Sequence, residues 1–290
     1  NDPSYNFQFI SFFDLVKVEG IDIKEEIIER AYSEDVSTIV IDMNDERVEP
    51  MLPHLYSLIF FGIRFVGMYA VYEEVFDRVP LSLLRHSWFM ENISSSSHMA
   101  YDALKRGMDF TLAFFGMILS FFIYPFVALA IKLDDGGYVF ITQERMGADN
   151  KVFRALKFRS MKVNDAGIWP SPGDARITRV GRFLRATRID EFPQLLSVLK
   201  GDLSLIGPRP DIVGLSKELT DKIPYYTVRS LIKPGLSGWA QIKQDFPPHT
   251  LEDTRMRLSY DLYYLKNRSF FLDLKIALKT IRTLLSRTGR

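Results

Sequence analysis

A chain of 290 residues can bury one large core or two ordinary ones, and 47% hydrophobic with 13% aromatic side chains excludes a chain that stays disordered. The absence of cysteine excludes disulfides, thiolate metal sites and cysteine nucleophiles. The net charge of +1 hides a division: residues 1–97 carry seven basic and 17 acidic side chains, and residues 98–290 carry 30 and 19, so two differently charged parts are expected, the second facing anions. The stretch Asn1–Phe7 is not a signal peptide, and a chain opening on Asn1 reads as part of a longer protein. Ile23–Tyr32 has helical apolar spacing, and Thr38–Ile41 is a short β-branched strand. Glu46–Phe60 is helical, with Pro50 and Pro53 in or before its first turn, and Ile63–Tyr69 is a second strand. Alternating strands and helices predict a parallel sheet, in an α/β domain over residues 1–91. No G-x-G-x-x-G supports nucleotide binding there. The serine-rich stretch 92–98 is read as a linker, and residues 99–290 as the second domain.

Residues Phe110–Ile131 run without a charge, long enough to cross a hydrocarbon core of about 30 Å as a straight helix. Two features oppose simple crossing. Pro125 lies inside the run, where it removes a backbone donor and bends a helix. Positive charge flanks both ends, Lys105 and Arg106 before and Lys132 after, which places both on the cytoplasmic side. A helix that enters, bends at Tyr124-Pro125 and returns fits both; a spanning helix and a buried soluble helix are the alternatives. Beyond it, Tyr138–Thr142 and Val152–Phe158 form a candidate hairpin. Glu191–Lys200 is a helix stopped by Gly201, and Tyr260–Leu285 gives two helices broken near Asn267–Ser269. The aromatics of this last stretch suit either an interfacial amphipathic surface or a core.

Four scattered histidines (His54, His86, His98 and His249) offer no zinc spacing, and neither a Walker loop nor a G-x-S-x-G elbow is present. What remains is carboxylates among arginines. Asp190-Glu191 opens a helix whose start is fixed by Pro193, and carboxylates there can simply cap free N–H groups. Yet Arg176, Arg179, Arg182, Arg185 and Arg188 precede the pair, a density of guanidinium suited to phosphate. Two adjacent carboxylates can hold Mg²⁺, and a carboxylate can attack phosphorus. The residues alone therefore point to a membrane-attached enzyme acting on a phosphorylated substrate. A non-enzymatic scaffold binding anionic lipid and a one-step glycosyl transferase releasing UDP are the competing functions.

Several ordered blocks add a resemblance. They run Lys105-Arg106-Gly107-Met108-Asp109, Gln143-Glu144-Arg145-Met146-Gly147, Lys157-Phe158-Arg159-Ser160-Met161 and Arg179-Val180-Gly181-Arg182-Phe183-Leu184-Arg185. Asp190-Glu191-Phe192-Pro193-Gln194-Leu195 follows, then the block from Gly201 to Pro210 and that from Pro234 to Gln241, with Tyr260-Asp261-Leu262-Tyr263-Tyr264 last. In this order, from Ala100 to Arg290, they resemble the bacterial sugar transferases, monotopic polyprenyl-phosphate phosphoglycosyl transferases. The acidic first part, with Tyr72–Leu81 and Ser87-Trp88-Phe89, resembles the segment preceding the catalytic domain in large exopolysaccharide-initiating members. Those members carry four N-terminal membrane helices and a Rossmann-like regulatory domain, so the resemblance implies a partial Rossmann-like accessory domain over residues 1–91.

The resemblance implies an α+β, membrane-associated catalytic domain with a re-entrant, Pro-broken helix and short amphipathic helices, on the cytoplasmic face of the bacterial inner membrane. It implies transfer of a phospho-sugar from a UDP-sugar to undecaprenyl phosphate with release of UMP, initiating exopolysaccharide or other glycoconjugate assembly. By the same resemblance Asp190 is the nucleophile, passing through a covalent aspartyl-phosphosugar, and Glu191 helps Asp190 hold Mg²⁺. Arg185 binds phosphate, Lys157 and Arg159 form a basic segment, and Arg145 and Arg209 lie near phosphate. Lys105 and Arg106 are read as anchors to anionic headgroups, and membrane lipid is an expected partner. Homo-oligomerisation through the acidic part is a further expectation, and nucleic acid is not an expected partner. Two departures stand out. Many members have Ser-Pro where this chain has Tyr124-Pro125, and Ile242-Lys243-Gln244 replaces a common Val-Asn-Gly, where donor recognition is expected.

Overall fold

The structure is a computed structural model and describes residues 8–12, 23–43, 45–94, 99–162, 176–244 and 248–285. Its contacts divide into two compact units, Asn1–Leu83 and Leu84–Arg290. Much of the expected linker falls outside the described residues, and its described start, through Ser94, belongs to a π-helical turn Met90–Ser94.

In the first unit, α1 (Ile23–Ser33) leads into β1 (Thr38–Ile41), and β2 (Arg64–Gly67) pairs with it in parallel, Thr38 opposite Arg64. The helix expected over 46–60 is fragmented into a 3-10 turn Glu49–Met51, a single α-turn α2 (Leu52–Leu55) and a 3-10 turn Tyr56–Phe61. Pro50 and Pro53 each occupy a first-turn position, so each starts its own short segment and neither can donate a helical hydrogen bond. Gly62, at φ +81°, ends the run in the left-handed conformation that glycine adopts without strain. Ala31, Ile41, Met51, Leu55, Leu58 and Ile63 close a small core, and α3 (Met68–Phe76) follows β2 directly. Two strands are the whole sheet of this unit among the described residues, so parallel pairing is present and a Rossmann-like sheet is not shown.

The second unit begins with α4 (His86–Phe89) and is mainly helical. The uncharged run forms two helices, α5 (Met99–Phe121) and α6 (Tyr124–Asp135), bent by 55° at the break between them. Pro125 sits in the first turn of α6, where its missing N–H costs nothing and α5 cannot continue through it. Among the described residues no single helix is long and apolar enough to cross a membrane; α5 and α6 reach that length and composition only together. Their outer side exposes Phe115, Leu119, Phe121, Phe122, Phe126 and Leu133.

The expected hairpin is present and longer, with β3 (Phe140–Met146) antiparallel to β4 (Val152–Phe158). Next come α7 (Arg179–Thr187), a 3-10 turn Ile189–Gln194 and α8 (Leu195–Lys200), closed by Gly201 at φ +93°. The helix expected over 191–200 is thus a 3-10 turn joined to a short α-helix, because Pro193 interrupts the hydrogen-bond ladder. β5 (Ser204–Ile206) pairs in parallel with β6 (Gly235–Ser237), and α9 (Val213–Lys222) and the 3-10 turn Tyr226–Leu231 lie between them in sequence. α10 (Trp239–Lys243) precedes α11 (Leu251–Asn267), which opens on a reciprocal capping box between Thr250 and Asp253. α12 (Phe270–Leu285) completes the fold, with the break between the last two helices where the sequence places it.

Three clusters form the core of this unit. Ala113 of α5 packs with Phe153, Ala155, Val198 and Leu203; Val127 and Ile131 of α6 pack with Phe158 and Leu184. Trp239, Tyr264, Ile206 and Ile276 form the third. Trp239 is buried and stacks on Tyr263, with Lys243 and Lys275 over its ring, so its role is packing. The choice left open for the last aromatics divides by helix: Tyr264 is core, whereas Phe271, Leu278 and Ile281 of α12 are exposed.

Candidate active site

Asp190 and Glu191 lie in the 3-10 turn between α7 and α8, opposite β4. Arg188, in the left-handed conformation, ends α7 and turns the chain into them. Glu191 is the hub of the charges. Its Oε1 accepts a 2.6 Å hydrogen bond from Arg209 and lies 3.8 Å from Arg188 and 4.0 Å from Lys157. Burial pushes the Glu191 carboxyl up, but the charges of Arg209 and Lys157, with the Arg209 hydrogen bond, outweigh it and hold the group well below the usual range. Glu191 is therefore a fixed anion that organises cations.

Asp190 is different. It is buried, and its Oδ1 has no hydrogen-bond partner among the described residues. Burial, then the charge of Glu191 beside it, raises its carboxyl to about 6 against the opposing pull of Lys157, Arg188 and Arg185. A buried carboxylate oxygen with no partner is costly, and such groups concentrate where chemistry needs them. Burial also draws Lys157 down to about 8; Glu191 resists this, and Arg145 and Arg209 add to it. Arg145, Lys157, Gln194 and Arg209 line one recess with Pro210, Gly235 and Leu236. Arg145 is braced there by donating to the Pro210 carbonyl at 3.0 Å and to Gln143.

Arg209 is itself held from behind. Arg229 donates to the Arg209 carbonyl at 2.8 Å, and its guanidinium pairs with Asp211 and, at 2.8 Å, with Asp261. Arg257 meets Asp211 at 3.0 Å, and Tyr226 donates to Asp211 at 2.6 Å. All five side chains are buried. The turn that carries Arg209 is fixed by close backbone approach: a Cβ on Gly235 would lie 2.1 Å from the Gly207 nitrogen, and one on Gly207 would lie 2.6 Å from the Lys233 carbonyl.

Of the residues marked in the sequence, the fold brings together Asp190, Glu191, Lys157, Arg145 and Arg209, with Arg185 near enough to lower the Asp190 carboxyl while one of its nitrogens contacts the Met161 sulfur. It does not bring Arg159 to this cluster. That guanidinium is buried against Asp135 and the Tyr138 carbonyl, where it ties the end of β4 to the end of α6. Lys105 and Arg106 also have internal tasks. Lys105 pairs with Asp273 of α12 at 2.7 Å, and Arg106 donates to the Val198 and Leu199 carbonyls at the end of α8. Sequence reasoning named Arg188 only within the run of arginines before the pair, and it assigned no part to Gln194 or the Arg229 network. Gln194 lies four residues after Asp190, a spacing that points to it; nothing local points to Arg229.

The acid pair, the recess of cations and the bent helices coincide with one family: the model of the bacterial sugar transferases matches residues 100–287. The chain belongs to the bacterial sugar transferase family. Among relatives of this sugar transferase, the UDP-N-acetylgalactosamine-undecaprenyl-phosphate N-acetylgalactosaminephosphotransferase of Aeromonas hydrophila is 43% identical over 192 residues, covering 65% of this chain and 45% of the relative. The UDP-glucose:undecaprenyl-phosphate glucose-1-phosphate transferase of Escherichia coli is 40% identical over 182 residues, 61% of this chain and 39% of its own length. A protein of the same description from Caulobacter vibrioides is 40% identical over 192 residues, 65% of this chain and 72% of its own length. The match thus spans less than half the length of the first two.

Proposed function

We propose that this sugar transferase moves a sugar phosphate from a UDP-sugar to undecaprenyl phosphate through a covalent intermediate on Asp190. The relatives' descriptions support the donor and acceptor classes. The observation that carries the mechanism is the buried, partnerless Oδ1 of Asp190 beside Lys157, Arg185 and Arg188. With its carboxyl raised to about 6, Asp190 is mostly ionised at neutral pH yet more basic than an ordinary carboxylate. Its oxygen attacks the β-phosphorus of the UDP-sugar. The bond from that phosphorus to the bridging oxygen breaks, and UMP leaves with the electron pair. A phosphate oxygen of undecaprenyl phosphate then attacks the same phosphorus, the carboxylate departs, and a diphosphate-linked sugar results. The acceptor is already anionic, so the second step needs no strong base.

Phosphoryl transfer depends mainly on position and charge neutralisation, which Lys157, Arg145 and Arg209 supply on one side of the dyad. Glu191 holds those cations in place. Magnesium fits the donor chemistry, since it takes carboxylate oxygens and completes its shell with substrate phosphates; Asp190 and Glu191 would hold it, and it would neutralise charge on the departing UMP. The exposed apolar face of α5 and α6, bent at Pro125, supports a re-entrant, monotopic seat in the cytoplasmic leaflet of the inner membrane. The first unit is an accessory domain on this reading.

The test is UMP release from a panel of UDP-sugars with undecaprenyl phosphate, combined with trapping of labelled sugar phosphate on the protein. Asp190→Asn is expected to abolish both. Near-native turnover in that variant, or UDP as the released nucleotide, overturns the mechanism.

A further inference from the structure

The dyad belongs to one continuous segment, from Arg179 through Lys200, made of α7, the 3-10 turn and α8. Both outer ends of this segment are capped by side chains from the bent helix pair. At the start of α7, Asp134 of α6 accepts the Val180 N–H at 2.9 Å, next to the Thr178 hydroxyl that accepts the Gly181 N–H. At the end of α8, Arg106 of α5 donates to the Val198 carbonyl at 2.6 Å and the Leu199 carbonyl at 2.7 Å. These are the orphan groups that every helix leaves at its ends, and each is met by charge of the favourable sign for the helix dipole.

The apolar contacts repeat this pattern. α5 packs on α8, with Ala113 against Val198 and Leu195, and Gly116 lacks the Cβ that would stand 3.3 Å from the Leu195 side chain. α6 packs on α7, with Val127 and Ile131 against Leu184 and Val180. One helix of the pair therefore rests on the helix before the dyad and the other on the helix after it. Asp134 and Asp135 are also misplaced for α6 itself, because acids at a helix C-terminus oppose its dipole. A local rule broken in this way marks a residue whose benefit lies elsewhere. Asp135 holds Arg159, and Asp134 holds α7.

We infer that the bent helix pair is a clamp on the active site: its bend sets the spacing of α7 and α8, and Arg106 and Asp134 are the positioning residues that transmit the bend to Asp190 and Glu191. The medium that covers the exposed apolar face of the pair is then an input to the site, because it fixes the angle between α5 and α6. The clamp rests on the proposed transfer activity for its rate effect alone. Its geometric effect stands independently.

The absence of cysteine allows a direct measurement. Arg182→Cys on α7 and Leu196→Cys on α8, both exposed positions, take spin labels for pulsed distance measurement in the full chain reconstituted with lipid. The distance distribution is expected to be narrow in the otherwise unaltered chain and to broaden or shift by several ångströms when Arg106→Gln and Asp134→Ala are combined. In unlabelled protein the same pair is expected to lower kcat about ten- to a hundredfold, the scale of a small misplacement of reacting groups, with KM for the donor nearly unchanged. Asp134→Asn keeps an acceptor for the Val180 N–H and Arg106→Lys keeps a cation at the α8 terminus, so these variants should recover most of the rate and the narrow distribution. An unchanged distribution in the Gln/Ala pair overturns the clamp, as does equal damage from the conservative and the disruptive variants or a loss that falls in KM. A chain whose distances respond but which releases no UMP would refute the proposed activity and leave the clamp standing.

Discussion

Replacing Asp190 with asparagine should make the protein more stable while removing its activity. The carboxyl is raised from 3.8 to about 6 by burial and by Glu191, so the folded state disfavours its ionised form. A group raised in this way contributes stability that is complete below the unfolded value and is lost as pH climbs through the folded one. At pH 7 that contribution is gone, and the ionised side chain costs about 2–3 kcal/mol, at about 1.4 kcal/mol per pH unit. Asparagine keeps the shape and carries no charge. For a unit of this size the gain corresponds to roughly 5–10 °C in melting temperature. Melting curves of both proteins between pH 4 and 8 provide the assay. The gap should be widest at pH 7–8 and shrink to a fraction of that as pH falls toward 4, where the folded carboxyl is protonated and pH approaches the unfolded value of 3.8. An asparagine variant less stable than the parent at pH 7, or a gap that ignores pH, would refute the assignment of Asp190 as a buried, unsatisfied carboxylate.

The pH dependence of turnover should be bell-shaped, with an acid limb near 6 from ionisation of Asp190 and an alkaline limb near 8 from deprotonation of Lys157. Lys157→Arg should remove the alkaline limb and leave the acid one, as pH-rate profiles of kcat/KM would record. Arg209→Met takes from the half-buried Glu191 carboxylate its hydrogen-bonded cation and leaves it Arg188 and Lys157 at 3.8 and 4.0 Å, with an expected loss of about 1–3 kcal/mol in denaturant melts, and turnover should fall with it. Arg229→Met leaves Asp211 and Asp261 facing each other without their shared cation, for a loss of about 3–5 kcal/mol in the same melts. Phe115→Lys with Leu119→Lys should move protein from the membrane pellet to the supernatant without altering the core, since both side chains are exposed; unchanged partition would count against the re-entrant seat.

The hairpin, the last two helices and the dyad were legible because their signals are local. Pro193 beside Asp190-Glu191, the turn between the two strands, and the break at 267–269 are all read within a few residues. The basic residues were legible as a class but not one by one. Arg159 sits two positions from Lys157, yet its partner Asp135 lies 24 residues back, and nothing in the local pattern separates a guanidinium aimed at the site from one aimed away. Lys105 and Arg106 read as flanking charges of an apolar run, but their partners are 168 and about 92 residues distant. The Arg229 network joins three segments by charges that look solvated in sequence. In the first unit, the helical period over 46–60 was real as a burial pattern, and the two prolines changed what backbone could carry it.

Arg188 has a consequence for how the site is assembled. As a non-glycine residue at φ +58°, it occupies a conformation that costs about 1–2 kcal/mol over the right-handed one. Had α7 simply continued, Asp190 would emerge about 140° around the helix axis from Arg185, at 100° per residue, and the two would look in different directions. The single left-handed joint converts residues that are neighbours in the chain into residues that face a common point. Glycine would adopt this turn with less strain, but it would take away the cation that stands 3.8 Å from Glu191. The position is thus asked for two incompatible things, an easy turn and a positive charge, and this chain has kept the charge.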